Sequence, residues 1–330
     1  MPSFHRSSSS SSRLPFAWSR RALAPFALTL AASGTFAAAA LAQTTPAPAP
    51  TPAPTATASA PAAHDATLAV LWMQRAAEYR AGCLQAYRAA ATLLPDLVGD
   101  PSCTACLEQG ERNRYESLPP AVVLDVDETV LDNSAFMARS VLDGRTKFDP
   151  QLWSAWVHEQ QASAIPGALA YVQAATQLGV RVVYVTNRKA DSQKDGAVST
   201  EESDTRANLK KLGFPIVESA GEDVVLCSGE IGDKAARRAK VCEQFRVVQL
   251  VGDNLGDFAP GTEPRKPEQT PHGAGVECAQ VERDRARLVD AFASWWGQRW
   301  ILIPNPSYGG FETVVRGQFP SLGAALQPQR

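Results

Sequence analysis

The sequence predicts an α/β protein with a doubly wound parallel sheet and a small helical second domain or cap. Short apolar runs rich in valine and leucine alternate along the chain with longer helical patterns. These runs are almost uninterrupted, which is typical of parallel strands whose two faces are both covered by helices. The strands expected in the sheet are Ala121–Leu124, Val180–Val185, Val224–Leu226 and Val247–Val251.

Helices are expected between these strands because proline and glycine mark their starts and ends. The predicted helices are 166–179, a helix that ends at Gly213, and Lys234–Phe245. An aromatic-rich helical insert, 133–165, separates the first strand from the first of these helices. We expect it at the carboxyl edge of the sheet, where ligands bind in this architecture.

An amphipathic helix is predicted from Asp65 to Leu94, where apolar residues recur at steps of three and four. A segment rich in Gly, Pro and Cys follows and ends at Pro120. The predicted organisation is an N-terminal helical segment (65–120), a core (121–312) and a C-terminal tail (313–330).

The first 42 residues are predicted to be an export signal. Arginines precede an alanine-rich run that ends in Ala40-Leu41-Ala42, and this order is typical of a cleaved signal peptide. The alternative, an uncleaved membrane anchor, is disfavoured by Pro25 and by the small-residue ending. Residues 43–64 are rich in Pro, Ala and Thr and are interpreted as an extended linker.

Six cysteines remain after the signal, and an even number in an exported protein favours disulfides. Their pairing is open, because six cysteines allow fifteen connectivities. Cys103 and Cys106 could instead form half of a zinc site or a redox pair. We favour structural bridging, because the chain offers few histidines as zinc partners and the pair lies in a loop-like stretch.

The composition argues against a nucleic-acid polymer as partner, because the net charge is −2 and no basic field is evident. A hydrophobic fraction of 45% is ordinary for a globular protein with a sizeable core. The sequence leaves the oligomeric state and the export route open.

Acidic residues follow two of the predicted strands. Asp125 and Asp127 come after the first strand, and Asp253 and Asp257 come after the fourth. Because parallel strands end at one edge, these carboxylates should converge, together with Thr186 after the second strand. Two such charges ~4 Å apart repel by roughly 4 kcal/mol at an effective dielectric near 20. Mg²⁺ prefers oxygen ligands and offsets this repulsion, so a magnesium site is predicted.

The motifs DVDET, VVYVT, GDKAARR and GDNLGD resemble those of the haloacid dehalogenase (HAD) superfamily, whose core is Rossmann-like. The resemblance implies that Asp125 is the nucleophile and forms an aspartyl-phosphate. It implies that Asp127 is the general acid and base and that Thr186 holds a phosphate oxygen. Lys234 is implied to neutralise charge on phosphate and nucleophile. The implied Mg²⁺ ligands are the Asp125 side chain, the Asp127 backbone carbonyl and Asp253, with Asp257 in support.

A narrower resemblance is to the class C bacterial acid phosphatases of the surface-lipoprotein, 5′-nucleotidase type. It is carried by VVLDVDETVLDN, VVYVTNRK, VGDNLGDF and ILIPNPSYGGFE. The resemblance implies hydrolysis of phosphomonoesters, notably nucleoside monophosphates and nicotinamide mononucleotide, at acid pH with Mg²⁺. No cysteine follows the signal near residue 42, which predicts a periplasmic or secreted protein without a lipid anchor.

Aromatic residues near the motifs are candidates to stack on the ring of such a substrate. Phe136, Trp153 and Tyr308 are the predicted stacking residues, although Phe136 stands where the family usually has tyrosine. Asn187 and Arg188 are predicted contacts of the phosphate or the ribose. Trp156, one helical turn past Trp153, is interpreted as a core residue.

Two other functions are compatible with this fold. One is a binding or storage protein that has lost catalysis, which the presence of Asp125, Asp127, Lys234 and Asp253 argues against. The other is transfer of phosphate to an alcohol in place of water, which the sequence leaves open. Other hydrolase designs lack support, since the chain has no G-x-S-x-G elbow and no P-loop.

Overall fold

A computed structural model describes residues 64–110, 114–194, 197–216, 224–229, 231–264 and 274–327. The predicted signal peptide and all of the predicted linker except His64 lie outside these ranges. None of the described helices is long and apolar enough to cross a membrane.

A five-stranded parallel sheet forms the centre of the described part. The nine strands of the described part are β1 (Pro120–Leu124), β2 (Leu131–Asp132), β3 (Ser163–Ala164), β4 (Arg181–Lys189), β5 (Ser192–Lys194), β6 (Ala197–Ser199), β7 (Val225–Ser228), β8 (Arg246–Gly252) and β9 (Trp300–Leu302). Of these, β2 pairs with β3 and β5 pairs with β6 outside this sheet. The order in the sheet is β7-β4-β1-β8-β9, and every neighbouring pair is parallel. The chain therefore winds outward from β1 in both directions, which confirms the predicted fold class.

Helices cover both faces of this sheet. The helices of the described part are α1 (Thr67–Arg75), α2 (Ala77–Gly99), α3 (Leu107–Gly110), α4 (Ser134–Leu142), α5 (Pro150–Glu159), α6 (Ala168–Gln177), α7 (Glu201–Lys211), α8 (Lys234–Gln244), α9 (Ala274–Ala291), α10 (Gly310–Gln318) and α11 (Leu322–Ala325). The predicted insert contains α4 and α5, and β2 and β3 pair at its two ends.

The alternation of side chains along β1 explains its continuous apolar sequence. Val122 and Leu124 pack in one apolar core, together with residues of α2 and α6. Val123 points to the opposite face and packs with Val241 of α8 in a second core. Successive strand residues face opposite sides of a sheet, so a strand covered on both sides must be apolar at every position.

The predicted N-terminal helix is divided in two in the structure. Ala76 has extended backbone angles (φ −77°, ψ 128°) and separates α1 from α2. The two parts pack on different partners, since α1 contacts α4 and α2 contacts α6. The predicted end at Leu94 falls inside α2, which continues to Gly99.

The predicted disulfides are absent: none of the six cysteines, all within the described ranges, is joined to another. Cys83, Cys103 and Cys278 are buried in separate parts of the fold. Cys106 and Cys242 are neighbours, but as thiols in one apolar cluster. Apolar packing therefore accommodates these side chains without bridging.

The cysteine-containing insert packs at the amino end of β8, away from the strand ends that carry the acidic motifs. The backbone N–H of Ala105 donates to the carbonyl of Val247 at 2.7 Å. The buried side chain of Gln109 donates to the carbonyl of Phe245 at 2.8 Å and accepts from the N–H of Val247 at 3.1 Å. The insert thus extends the core and leaves the acidic edge of the sheet open.

The C-terminal part holds elements that the sequence patterns did not predict. β9 adds an edge strand beside β8, and α9 packs on α10. The predicted boundary between core and tail at residue 312 falls inside α10. Trp300 of β9 is buried among aromatic rings that include Phe258 and Phe292, which fixes this strand against the second core.

Candidate active site

Three carboxylates meet at the carboxyl ends of neighbouring strands. One oxygen each of Asp125, Asp253 and Asp257 lies within 4.8 Å of the others. The parallel pairing of β1 with β8 produces this approach, because the N–H of Asp125 donates to the carbonyl of Val251 at 3.0 Å. Residues more than 120 positions apart in the chain therefore share one acidic cluster, as their places at strand ends predicted.

Lys234, the first residue of α8, provides the positive charge inside this cluster. Its Nζ lies 2.8 Å from Oδ1 of Asp125 and 2.6 Å from Oδ1 of Asp257. The preceding residue, Asp233, caps the helix by accepting from the N–H of Ala235 at 2.9 Å. The cap fixes where α8 begins and so directs the lysine at the two carboxylates.

Burial and mutual repulsion raise the pKa values of the acids. Burial raises the pKa of Asp125 well above its usual range, Lys234 opposes this effect, and the neighbouring carboxylates add to it. Burial and then Asp257 raise the pKa of Asp253 to about 8. The pKa of Lys234 is raised, since the two carboxylates outweigh the lowering effect of burial. One ammonium thus leaves the three carboxylates incompletely neutralised.

This donor set fits a hard divalent cation. All three residues offer carboxylate oxygens, which Mg²⁺ prefers. Asp253 is held in place by the Thr129 hydroxyl, which donates to its Oδ1 at 3.0 Å, and by the Asn305 amide, which donates to its Oδ2 at 2.9 Å. Such outer contacts orient ligating carboxylates in metal sites.

The stability of the cation-free protein should depend on pH through Asp253. An aspartate in the unfolded chain titrates near pH ~3.9, whereas the folded pKa is about 8. Between these values the unfolded state binds fewer protons, so the free energy of unfolding falls as pH rises. Urea unfolding in the presence of a chelator, at acid and at mildly alkaline pH, measures this slope. A single titrating carboxyl such as Asp253 can contribute at most ~1.4 kcal/mol per pH unit.

The matched variant for this prediction is Asp253→Asn, which cannot ionise. Its free energy of unfolding should fall less over the same pH interval than that of the unaltered protein. Equal slopes for the two proteins would contradict the raised pKa of Asp253.

Asp127 is directed away from the three-carboxylate cluster. Its Oδ1 accepts from Arg188 at 2.7 Å and 3.0 Å and from the Asn133 amide at 2.9 Å. The Thr186 hydroxyl donates to its Oδ2 at 3.5 Å. Its carboxylate therefore does not join the cluster, and its implied metal contact through the backbone carbonyl stays a prediction.

The three residues after VVYV occupy different positions. Thr186 is buried, and its hydroxyl oxygen accepts from the N–H of Arg188 at 3.2 Å. Asn187 is exposed and lines a cleft beside the acidic cluster. Arg188 is only 2% exposed, and its guanidinium bonds to Asp127 and Thr205. Arg188 also lines the cleft, so its predicted contact with the phosphate or the ribose stays a prediction.

The predicted stacking residues line this cleft, which has a volume of about 560 Å³. Phe136 is only 5% exposed and meets Trp153 edge to face, with ring centroids 5.2 Å apart. The guanidinium of Arg188 lies 5.5 Å from the Trp153 ring centroid. The Trp153 ring thus contacts both Phe136 and Arg188, and the stacking of Phe136 and Trp153 on a substrate ring stays a prediction. Trp156 is buried, as expected of a core residue.

Tyr308 connects the cleft wall to a buried acid that the sequence analysis did not single out. Its hydroxyl donates to Oε2 of Glu128, whose Oε1 accepts from the N–H of Asn133 at 2.8 Å. Glu128 is fully buried and has a positive φ of 55°. Burial and then Asp127 raise the pKa of Glu128 to about 8. Its place inside DVDET was the only signal that could have identified it.

A doubly wound sheet with an Asp-x-Asp pair after its first strand, a lysine beside it and further aspartates after a neighbouring strand defines a HAD-type protein. A family profile described as "HAD superfamily, subfamily IIIB (Acid phosphatase)" matches residues 28–311. The chain belongs to this family.

Solved structures with the same fold include the class C acid phosphatase from Bacillus anthracis. One is 28% identical, with a TM-score of 0.58, and the match covers 80% of this chain and 93% of that chain. A second, with tungstate bound, is 27% identical, with a TM-score of 0.59, and covers 80% and 94%.

Curated relatives include the stem 28 kDa and stem 31 kDa glycoproteins of Glycine max. Each is 27% identical over 143 residues, or 42% of this chain. The match covers 52% and 46% of those proteins, so the chain spans about half the length of the curated relatives it matches.

Proposed function

We propose that this protein is an acid phosphatase that hydrolyses phosphomonoesters with the help of Mg²⁺. Nucleoside 5′-monophosphates and nicotinamide mononucleotide are the proposed substrates. The observation that carries the proposal is the buried contact of Lys234 with Asp125 inside a cluster of three carboxylates. Membership of subfamily IIIB and the likeness to class C acid phosphatases support it.

Asp125 is the proposed nucleophile. Its carboxylate oxygen attacks phosphorus, the bond from phosphorus to the leaving oxygen breaks, and an aspartyl-phosphate forms. Lys234, 2.8 Å from Oδ1 of Asp125, keeps positive charge beside the attacking oxygen. Mg²⁺ bound by Asp125, Asp253 and Asp257 would supply further positive charge that lets an anionic phosphate approach an anionic nucleophile.

Asp127 is the proposed general acid and base. It protonates the leaving oxygen and then accepts a proton from the water that opens the aspartyl-phosphate. Two N–H groups of Arg188 hold Oδ1 of Asp127, which leaves Oδ2 as the oxygen to exchange the proton. Thr186 and Asn187 are the proposed ligands of the phosphate oxygens.

The test of this function is turnover of p-nitrophenyl phosphate by the purified protein with Mg²⁺, from acid to neutral pH. We expect hydrolysis that is fastest at acid pH, followed by a preference for nucleotides over sugar phosphates in a substrate panel. Binding of inorganic phosphate without any turnover would contradict hydrolysis and favour a non-catalytic binding protein. Release of a phosphorylated alcohol in place of phosphate would favour a phosphotransferase.

Replacement of Trp153 by alanine should separate substrate stacking from catalysis. Stacking on an aromatic side chain contributes ~1–3 kcal/mol per base, so KM for a nucleotide should rise by roughly tenfold or more. KM for a sugar phosphate, which has no aromatic ring, should change little. Because Trp153 also covers Arg188, any fall in kcat should be shared by both substrates.

Trp153→Phe is the matched control, since it keeps an aromatic face at the same position. It should restore most of the nucleotide affinity. An equal rise of KM for both substrates in Trp153→Ala would remove the stacking role.

We further propose that the protein is exported to the periplasm or secreted. Its first 42 residues, with arginines before an alanine-rich run and an Ala-Leu-Ala ending, support this proposal. Sequencing of the mature N-terminus should give Gln43. A cytosolic protein that keeps Met1 would contradict the proposal.

A further inference from the structure

Arg237 lies one helical turn after Lys234 in α8 and is only 3% exposed. All five of its N–H groups have an acceptor. Its Nη1 donates to the carbonyls of Thr186 and Leu226, the latter at 3.0 Å. Its Nη2 donates to Oδ1 of Asn187 at 2.8 Å and to the carbonyl of Gly232 at 3.2 Å. Its Nε donates to the carbonyl of Asp233, in its own helix, at 3.4 Å.

These contacts join three segments that end at the same edge of the sheet. Thr186 and Asn187 belong to β4, Leu226 belongs to β7, and Gly232 belongs to the loop before α8. A planar guanidinium has fixed donor directions, so it can hold several oxygens in one arrangement. The five acceptors are all neutral oxygens, so none of these hydrogen bonds goes to a carboxylate.

The contact with Asn187 fixes which end of that amide faces the cleft. Arginine has donors only, so it must bond to the amide oxygen of Asn187. The amide nitrogen, with its two donors, is then the group available on the cleft side. Asn187 is exposed and lines the cleft, so this nitrogen can donate to a bound oxyanion. A rotated amide would present its oxygen and repel a phosphate.

We propose that Arg237 is a positioning residue for phosphate binding, which holds the Thr186 backbone and turns the Asn187 amide so that its nitrogen donates to the phosphate. This inference rests on the proposed phosphatase function, because it assigns the phosphate to the same cleft. Arg237 itself does not contact the phosphate and acts through its two neighbours on β4.

A matched control is available at the opposite edge of the sheet. Arg246, the first residue of β8, is 4% exposed and also donates mainly to backbone carbonyls. Its acceptors include the carbonyls of Asp100 and Val98, both at 2.7 Å, in the N-terminal segment. Arg246 therefore shares the burial and the acceptor type of Arg237 but not its place beside the cleft.

The experiment compares Arg237→Lys, Asn187→Ala, the double variant and Arg246→Lys in the full chain with Mg²⁺. Binding of inorganic phosphate is measured by calorimetry, and KM and kcat are measured with p-nitrophenyl phosphate. Arg237→Lys and Asn187→Ala should each weaken phosphate binding by about tenfold, the loss expected for one charge-assisted hydrogen bond. KM should rise accordingly, with a smaller change in kcat.

The double variant should lose less phosphate affinity than the sum of the two single losses, because both changes remove the same amide contact and only the support of the Thr186 backbone is lost in addition. Arg246→Lys should lower the Tm without altering phosphate affinity. Phosphate affinity in Arg237→Lys equal to that of the unaltered protein would overturn the proposal, and so would fully additive losses in the double variant.

Two further outcomes keep the inference distinct from the proposed function. Asn187 is exposed, so Asn187→Ala should fold even if Arg237→Lys does not, and unchanged phosphate affinity in Asn187→Ala overturns the inference by itself. If the unaltered protein binds phosphate without turnover, the proposed hydrolysis fails, while the affinities of the variants still decide the role of Arg237.

Discussion

Replacement of Asp125 by asparagine is expected to leave a folded protein with no measurable turnover of p-nitrophenyl phosphate. An amide oxygen is too weak a nucleophile to form the aspartyl-phosphate, and loss of a catalytic nucleophile removes most of the rate enhancement. The fold should persist, because burial and the neighbouring carboxylates raise the pKa of Asp125 and so disfavour its charged form. The neutral amide of asparagine avoids this cost. Steady-state kinetics and thermal unfolding of the purified variant measure both effects.

The matched control is Asp132→Asn, in the same motif. The carboxylate of Asp132 accepts from the N–H of Ser134 at 2.8 Å and is not part of the three-carboxylate cluster. This variant should keep turnover close to that of the unaltered protein. Near-normal turnover in purified Asp125→Asn would show that another group is the nucleophile.

Apolar patterns predicted the centre of the fold because burial on two faces leaves a direct trace in sequence. Val122, Val123 and Leu124 had to be apolar whichever face they occupied. The break at Ala76 left no such trace, since both sides of it follow a helical pattern. β9 is only three residues long, and its position depends on contacts with β8 and with aromatic rings far away in sequence.

The place of the acidic residues could be predicted because a parallel sheet brings its strand ends together. The partners of those residues could not be predicted, because long side chains reach them from distant segments. Arg188 and Asp127 are 61 residues apart, and Tyr308 and Glu128 are 180 residues apart. Arg188 and Tyr308 are each bonded to an acid of DVDET and also line the cleft, so their predicted substrate contacts stay predictions.

Removal of the divalent cation is the second change with a large expected effect. Chelation should abolish turnover, and added Mg²⁺ should restore it, because Lys234 alone leaves the three carboxylates incompletely neutralised. The cation must displace a proton from Asp253, whose pKa is about 8 without it. More Mg²⁺ should therefore be needed for half-maximal activity as the pH falls. Titration of turnover with Mg²⁺ at two pH values measures this shift.

Asp253→Asn tests whether the cation acts at this cluster. A neutral amide is a poorer ligand for Mg²⁺ than a carboxylate, so the variant should need far more Mg²⁺ and turn over more slowly at saturation. Glu312→Gln is the control, because Glu312 lines the cleft but pairs with Arg316 at 2.7 Å, outside the cluster. Its Mg²⁺ requirement should be unchanged. Turnover that survives chelation, or equal Mg²⁺ requirements in the two variants, would show that a cation bound at the acidic cluster is not needed for the reaction.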